Sequence, residues 1–279
     1  AITTTAAAAA HLVGQMQEGG LKLMGLGCRA PGGCWSAIGL WQWLCGGHDA
    51  ITKIPTSRFD VDALDDTRGE LYVKHAHFLQ GVQMFDSACF GIGTAEATGM
   101  DPHQRLLLEV GFGSMVQGGH SRQSLMGHGM GVFIGFCLVF EWPSVQREAA
   151  AVATAWSNLG GDAAAAAGRV SFLLGLKGPC FSVNTACSSS LVALDSACQA
   201  LRLSKCASAM VAGVNLQLHP SGWAGFCAMH ALSDDGQCKT FDASADGYGR
   251  GEACGAVQVE QGYEDDGAVD STTTLAALQ

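Results

Sequence analysis

The sequence predicts an α/β protein, because short apolar runs typical of buried strands alternate with segments whose small, apolar residues are typical of packed helices. The strongest strand pattern is 131–136 and a clear buried-helix pattern is 162–174. A chain of 279 residues, with 48% hydrophobic and 14% charged residues, can bury a large core in one or two domains. The low charged fraction argues against a disordered chain and indicates extensive burial.

The predicted elements follow in a simple order. Residues 1–20 begin with an Ala- and Thr-rich tract and are interpreted as a tail, linker or entry helix. Residues 51–90 are rich in Gly, Asp and aromatic residues, so we expect irregular structure with short strands there. A helix is expected over 96–110, interrupted near Asp101-Pro102. The other predicted elements are a helix over 35–44 and strands over 21–26, 208–216 and 254–260.

The charge and the cysteine content exclude several classes of protein. A net charge of −10 argues against nucleic-acid binding, which depends on clustered Lys and Arg. It does not exclude an acidic protein partner, whose docking needs only a local basic patch. No apolar run reaches the length of a membrane span. The 12 cysteines include no C-x-x-C pair, which favours buried free thiols over a zinc site or a disulfide framework. Free thiols indicate a reducing compartment, cytoplasm or plastid.

The tract 178–194 is the most informative part of the chain. It predicts a buried strand that turns sharply into a buried helix, with Cys187 at the turn. A cysteine at the first turn of a helix faces unpaired backbone N–H groups and the positive end of the helix dipole, which favour the nucleophilic thiolate. The same N–H groups can stabilise an oxyanion. This pattern favours acyl transfer through a thioester on Cys187, whereas most of the other cysteines are expected to be small buried hydrophobes.

Two weaker patterns have plainer interpretations. Gly25-x-Gly27-x-x-Ala30 could be a dinucleotide fingerprint, but no βαβ unit of the right length follows. A tight turn after the first strand is favoured there, and no cofactor is expected. His75 and His77 would share one face of a strand. Two ligands do not make a metal site, so no metal is expected.

Four tracts stand in an informative order along the chain. They are G-L-G-C-R-A-P-G-G at 25–33, D-P-H-Q-R-L-L-L-E at 101–109, N-T-A-C-S-S-S at 184–190 and L-S-D-D-G-Q-C-K-T-F-D at 232–242. In the same order they resemble tracts of the β-ketoacyl synthases, the condensing enzymes of fatty-acid and polyketide synthesis. The modular polyketide-synthase type is most similar, and Asn184 stands where that type usually has Asp.

The resemblance implies the thiolase-like fold, in which two similar α/β halves stack as layered helices and mixed sheet. It implies that Cys187 takes an acyl group from an acyl carrier protein, to whose phosphopantetheine the group is bound. A carrier-bound malonyl unit would then lose carbon dioxide and attack the acyl-enzyme. It also implies that Phe241 lines the pocket beside Cys187. Asp242, Arg250 and Glu252 are expected to support the surrounding loop through hydrogen bonds.

The four tracts all belong to the first half of the family's fold. The histidine tracts of the second half, H-G-T-G-T and N-I-G-H, are not found among the 279 residues. We therefore expect an N-terminal half over 21–260, with 261–279 starting a linker to a missing second half that a second chain could otherwise supply. The resemblance also implies a homodimer formed through the strand at about 179–184. The alternatives are a structural or interaction protein that no longer condenses, and an acyltransferase that only loads Cys187.

Overall fold

A five-stranded mixed sheet forms the centre of the molecule. The computed structural model describes residues 20–68, 71–137, 141–149 and 155–262, so the predicted tail and linker lie almost entirely outside the described residues. The strands in the described part are β1 (Leu21–Arg29), β2 (Ile51–Lys53), β3 (His75–His77), β4 (Gly131–Phe136), β5 (Cys180–Val183), β6 (Ser208–Asn215) and β7 (Ala253–Gln261). The large sheet has the order β1-β7-β6-β4-β5, whereas β2 and β3 form a separate antiparallel pair.

The helices connect and cover these strands. In the described part of the chain they are α1 (Ala37–Cys45), α2 (Val61–Arg68), α3 (Thr94–Gly99), α4 (Pro102–Gln117), α5 (Arg122–Leu125), α6 (Glu141–Glu148), α7 (Ala155–Gly160), α8 (Ala163–Leu174), α9 (Ser189–Arg202) and α10 (Ser221–Ala228). The predicted interruption near Asp101-Pro102 is confirmed, because Asp101 caps α4 by accepting a hydrogen bond from the His103 backbone N–H at 2.8 Å. None of these helices combines the length and apolar character needed to cross a bilayer.

Strand β4 lies between two parallel neighbours, and β7 runs antiparallel to both β6 and β1. The register places Gly135 of β4 opposite Val183 of β5 on one side and Gly213 of β6 on the other. Every residue of β4 is buried, as is typical of a parallel strand covered by helices on both faces. The predicted α/β class and the predicted strand over 131–136 are therefore confirmed.

The two faces of the sheet carry different hydrophobic clusters. Val132, Ile134 and Phe136 alternate along β4 and pack in one cluster with buried residues of α4 and α8. Phe133 lies on the opposite face and packs in a second cluster with buried residues of α9. The sheet is thus a layer between helices, and α9 is the helix that covers the second face.

A third cluster packs around the short β2–β3 pair. The Trp223 ring of α10 is fully buried, with its centroid 6.3 Å from that of Phe59 and 6.5 Å from that of Phe78. This cluster fixes the segment that follows β6 against the loops that precede β3. The loop between α10 and β7 contacts this cluster through Leu232, which packs in it, and through Arg250, whose guanidinium lies over the Trp223 ring.

Two sequence expectations about local structure were incomplete or wrong. The segment 51–90 contains, besides short strands, the helix α2, whose three aspartates hid its helical pattern. Gly25 and Gly27 do not form a turn after the first strand. They lie inside β1, where a Cβ on either would collide with the backbone of α4, so their role is close packing of strand against helix.

The expectation that the elbow strand and helix are buried on all sides was also wrong. β5 is an edge strand, Cys180 is exposed, and the Phe181 side chain is 41% exposed. Helix α9 buries Ala193, Ala197 and Leu201 against the sheet but leaves Leu191 61% exposed. The composition identified these segments as apolar, but the order of strands in the sheet put β5 at its edge.

Candidate active site

Cys187 lies on the sharp turn between β5 and α9. The strand ends at Val183, a short 3₁₀ turn spans Ala186–Ser188, and α9 begins at Ser189. Cys187 therefore precedes the helix by two residues instead of lying within its first turn, and it is exposed. The helix start carries the positive end of the helix dipole, and such an end stabilises negative charge beside it.

Side-chain hydrogen bonds hold this turn in an unusual conformation. Ala186 has a φ of 57°, which a residue other than glycine rarely adopts and which costs about 1–3 kcal/mol. Asn184 Oδ1 accepts from the Ala186 N–H at 3.1 Å. Ser189 Oγ accepts from the Thr185 N–H at 2.9 Å and donates to the Ala186 carbonyl at 2.6 Å. An aspartate, which the resembling synthases usually have at position 184, could accept the same bond.

The elbow rests directly on the sheet because two strands have no side chain beneath it. A Cβ on Gly135 would lie 2.5 Å from the Ser190 backbone nitrogen, and a Cβ on Gly213 would lie 2.7 Å from the Ser190 Cβ. Both distances are shorter than van der Waals contact. The start of α9, and with it Cys187, is therefore set at the carboxyl ends of the parallel strands, which is where open α/β sheets usually bind ligands.

Two groups from distant parts of the chain interact electrostatically with Cys187. Burial raises the pKa of the Cys137 thiol, Arg250 offsets part of this rise, and Cys187 adds to it. Burial likewise raises the pKa of the Tyr248 phenol, which Arg250 lowers and Cys187 raises. Cys187, Cys137, Tyr248 and Arg250 thus form one electrostatically connected group at this end of the sheet.

The loop before β7 contains the other predicted site residues. Phe241 is fully exposed and has a φ of 65°, so its expected place in the lining of an acyl pocket stays a prediction. Asp242 is also exposed, and its Oδ1 accepts from the backbone N–H and the hydroxyl of Ser244 at 2.8 and 2.7 Å. These two bonds lower the pKa of the Asp242 carboxyl. They bend the loop tightly just after Phe241.

Arg250 lies underneath this loop. Its Nη1 donates to the Gly222 carbonyl at 2.6 Å, and its guanidinium carbon is 4.7 Å from the centre of the Phe226 ring and 5.2 Å from that of Trp223. Burial lowers the pKa of Arg250, and Glu141 opposes that shift. The arginine therefore connects the loop to α10 while its charge acts on Tyr248 and Cys137.

Glu252 is a buried carboxylate with four hydrogen-bond donors. Arg58 donates to it through Nε and Nη2, both at 2.8 Å, and backbone N–H groups donate from Leu79 at 2.8 Å and from Gln217 at 3.0 Å. Neither charged side chain of the pair is more than 5% exposed. Glu252 fixes the start of β7 to the end of β6 and to the loop after β3. None of these four bonds involves Cys187.

The structure adds three residues that the sequence alone did not single out. Cys137 and Tyr248 interact electrostatically with Cys187. Glu141 is a buried carboxyl that accepts from the Leu218 N–H at 2.5 Å, and burial raises its pKa. Cys137 directly follows the strongest predicted strand, and Tyr248 stands in the loop that follows the fourth tract, so both had a signal in the sequence. Glu141 had none.

A family model described as the β-ketoacyl synthase N-terminal domain matches residues 22–265. The chain belongs to the β-ketoacyl synthase family. The chain is 40% identical over 245 residues to a phenolphthiocerol/phthiocerol polyketide synthase of Mycobacterium tuberculosis, covering 86% of this chain and 13% of that protein. It is 39% identical over 246 residues to erythronolide synthase EryA3 of Saccharopolyspora erythraea, covering 86% of this chain and 8% of that protein. The chain therefore spans a small part of the length of these relatives.

Solved ketosynthases share the fold. The ketosynthase from module 6 of the bacillaene synthase of Bacillus subtilis 168 matches with a TM-score of 0.77 and 33% identity, covering 86% of this chain and 40% of that one. An oxazolomycin ketosynthase domain from Streptomyces albus JA3453 matches with a TM-score of 0.77 and 30% identity, covering 86% and 42%. The predicted thiolase-like fold is confirmed for the part of a ketosynthase that this chain spans.

Proposed function

We propose that this ketosynthase forms an acyl thioester on Cys187 as the first step of a decarboxylative condensation. The observation that carries the proposal is the exposed Cys187 on a turn that is strained at Ala186 and locked by hydrogen bonds. Strain held in place by surrounding structure is a feature of functional sites. The family membership and the polyketide synthases among the relatives support the same reaction.

In the first step the Cys187 sulfur attacks the carbonyl carbon of a carrier-bound acyl thioester. The C–S bond to the carrier's phosphopantetheine breaks, and the carrier leaves as a thiol after taking up the proton that Cys187 gave up. Negative charge develops on the carbonyl oxygen in between, where backbone N–H groups can stabilise it. The positive end of the α9 dipole acts in the same direction.

In the second step a carrier-bound malonyl group loses carbon dioxide, and its carbanion attacks the Cys187 thioester. This step needs a general acid or oxyanion donors beyond the nucleophile. In the family, histidines of the second half supply them. We propose that these groups act here from a continuation of the same polypeptide or from a separate chain, since the ketosynthases of known structure extend well beyond the part that this chain covers.

Two partners belong to this proposal. An acyl carrier protein delivers both the acyl and the malonyl group. A second copy of the chain pairs with β5, whose outer edge lacks a neighbouring strand in the sheet order of the described residues and whose Phe181 is 41% exposed. An uncovered strand edge favours association. Light scattering at micromolar concentration should give twice the mass of one chain; a monomer throughout that range would contradict the proposed dimer.

The first step is tested by intact-protein mass spectrometry after exposure to an acyl N-acetylcysteamine thioester. The chain should gain one acyl group, and Cys187→Ala should gain none. Cys180→Ala is the matched control, because Cys180 is also exposed and lies at the start of the same strand. Equal loading of Cys187→Ala and the wild type would refute the assignment. A chain that never loads would favour a purely structural or interaction role.

The second step is tested by the release of labelled carbon dioxide from malonyl carrier protein. We expect the purified 279-residue chain to load an acyl group without donor-dependent release. If release depends on the acyl donor and is lost in Cys187→Ala, a group of this chain performs the role of the family's histidines, and the proposed need for the second half is wrong.

A further inference from the structure

Cys137 contacts the turn that carries Cys187 through the Asn184 side chain. The backbone of Ser189 and Ser190 occupies the place where Gly135 would carry a side chain. A Cβ on Gly135 would lie 2.6 Å from the Ser189 carbonyl carbon and 2.5 Å from the Ser190 nitrogen. Cys137 directly follows β4, two positions after Gly135, and on the facing segment Cys187 precedes Ser189 by the same two positions.

A hydrogen bond joins the two chain segments at this level. The Asn184 side-chain amide donates to the Cys137 carbonyl at 3.4 Å, while Asn184 also holds the turn that carries Cys187. A disulfide typically joins Cα atoms about 5.5–6 Å apart, which is the separation that the proposed link requires of Cys137 and Cys187. Cys137 is half-buried and Cys187 exposed, so a reagent from solvent meets Cys187 first.

We propose that Cys137 is a resolving thiol for Cys187, which converts an oxidised nucleophile into a reversible disulfide and protects it from further oxidation. The inference rests on the proposed function in that Cys187 is the nucleophile. The close electrostatic relation of the two thiols supports it. The ligand chemistry is that of a small hydroperoxide, and the recovering reagent is a dithiol.

The chemistry balances in two steps. The Cys187 thiolate attacks a hydroperoxide oxygen, the O–O bond breaks, and a sulfenic acid and hydroxide (or alkoxide) form. The Cys137 thiol then attacks the Cys187 sulfur, an S–S bond forms, the S–O bond breaks, and water leaves with the Cys137 proton. Sulfur loses two electrons in total and the peroxide gains them. A dithiol restores both thiols by exchange. Without Cys137, a second peroxide would carry Cys187 on to the irreversible sulfinic acid.

The test is peptide mapping without reduction after mild hydrogen peroxide treatment of the 279-residue chain. The wild type should give a linked Cys137–Cys187 peptide pair whose mass is about 2 Da below the sum of the free peptides. In Cys137→Ser the Cys187 peptide should instead gain about 32 Da. Cys45→Ser, which removes another exposed thiol at the end of α1, should behave as the wild type.

Acyl loading gives the second readout. After peroxide and then dithiothreitol, the wild type and Cys45→Ser should recover full loading, whereas Cys137→Ser should lose most of it. No linked pair in the wild type, or equal recovery in all three proteins, would overturn the proposal. Loading by the untreated wild type and untreated Cys137→Ser is measured alongside. A failure there would contradict the proposed function instead, and the linked peptide in the wild type is scored independently of whether any variant folds.

Discussion

Replacing Gly135 by alanine should displace the nucleophile without touching it. The added Cβ would lie 2.5, 2.6 and 2.7 Å from three backbone atoms of Ser189 and Ser190, whereas ordinary contact begins at 3.4 Å. The start of α9 must therefore move away by about 0.9 Å. The colliding atoms belong to the backbone of the helix start, which cannot avoid the clash by a side-chain rotation. Overpacking of this kind costs about 1–3 kcal/mol. A displacement of about 1 Å at a reacting group can cost about a hundredfold in rate.

The assay combines thermal unfolding with the rate of acyl loading on Cys187. At about 2–4 °C per kcal/mol for a domain of this size class, Gly135→Ala should lower the Tm by about 4–8 °C for a cost of about 2 kcal/mol, and slow loading by at least tenfold. Gly255→Ala is the matched control. Gly255 lies in β7 opposite Gly213, and a Cβ there meets no atom within 4 Å, so both Tm and loading should stay near those of the wild type.

Equal Tm values and equal loading rates for Gly135→Ala and Gly255→Ala would contradict this prediction. That result would mean that α9 can shift freely on the sheet, and that the close approach at Gly135 does not position Cys187. A lower Tm with unchanged loading would mean that the close packing at Gly135 stabilises the fold but does not position Cys187.

Two further predictions concern charged groups. Glu252→Gln should lower the free energy of unfolding by about 3–5 kcal/mol in denaturant titration, because it leaves the charge of the buried Arg58 guanidinium uncompensated. The control is Glu148→Gln, which removes an exposed carboxylate and should change the free energy of unfolding by less than about 1 kcal/mol. Similar values for the two variants would contradict this prediction. The Ser233 hydroxyl, first among several donors, lowers the pKa of Asp235 from 3.8 to about 2. The stability from Asp235 should therefore be complete above about pH 4 and disappear as the pH falls through about 2; a carboxyl titrating near its ordinary 3.8 by NMR would show that these bonds are absent in solution.

Much of the fold was predictable because its signals are local. The buried strand at β4, the broken helix at Asp101-Pro102 and the small-residue helix α8 each follow from the order of residues within one segment. The segment 51–90 was harder, since α2 carries three aspartates and has no continuous apolar stripe. Val61, its first residue, packs in one cluster with Trp223, which lies far along the chain. A contact of this kind is not visible in the local sequence.

The sequence by itself determined the family, the α/β architecture and the strand-to-helix turn that carries Cys187, because motifs and periodicity are properties of contiguous residues. Only the tertiary structure decided that β5 lies at the sheet edge with Phe181 exposed, since exposure depends on which strands lie side by side. It also decided that Cys137, fifty residues earlier in the chain, is bonded through its carbonyl to Asn184 of the turn that carries Cys187. Contacts between segments this far apart are set by the strand order and by the glycines that let α9 approach the sheet. Neither can be predicted from the residues around the turn alone.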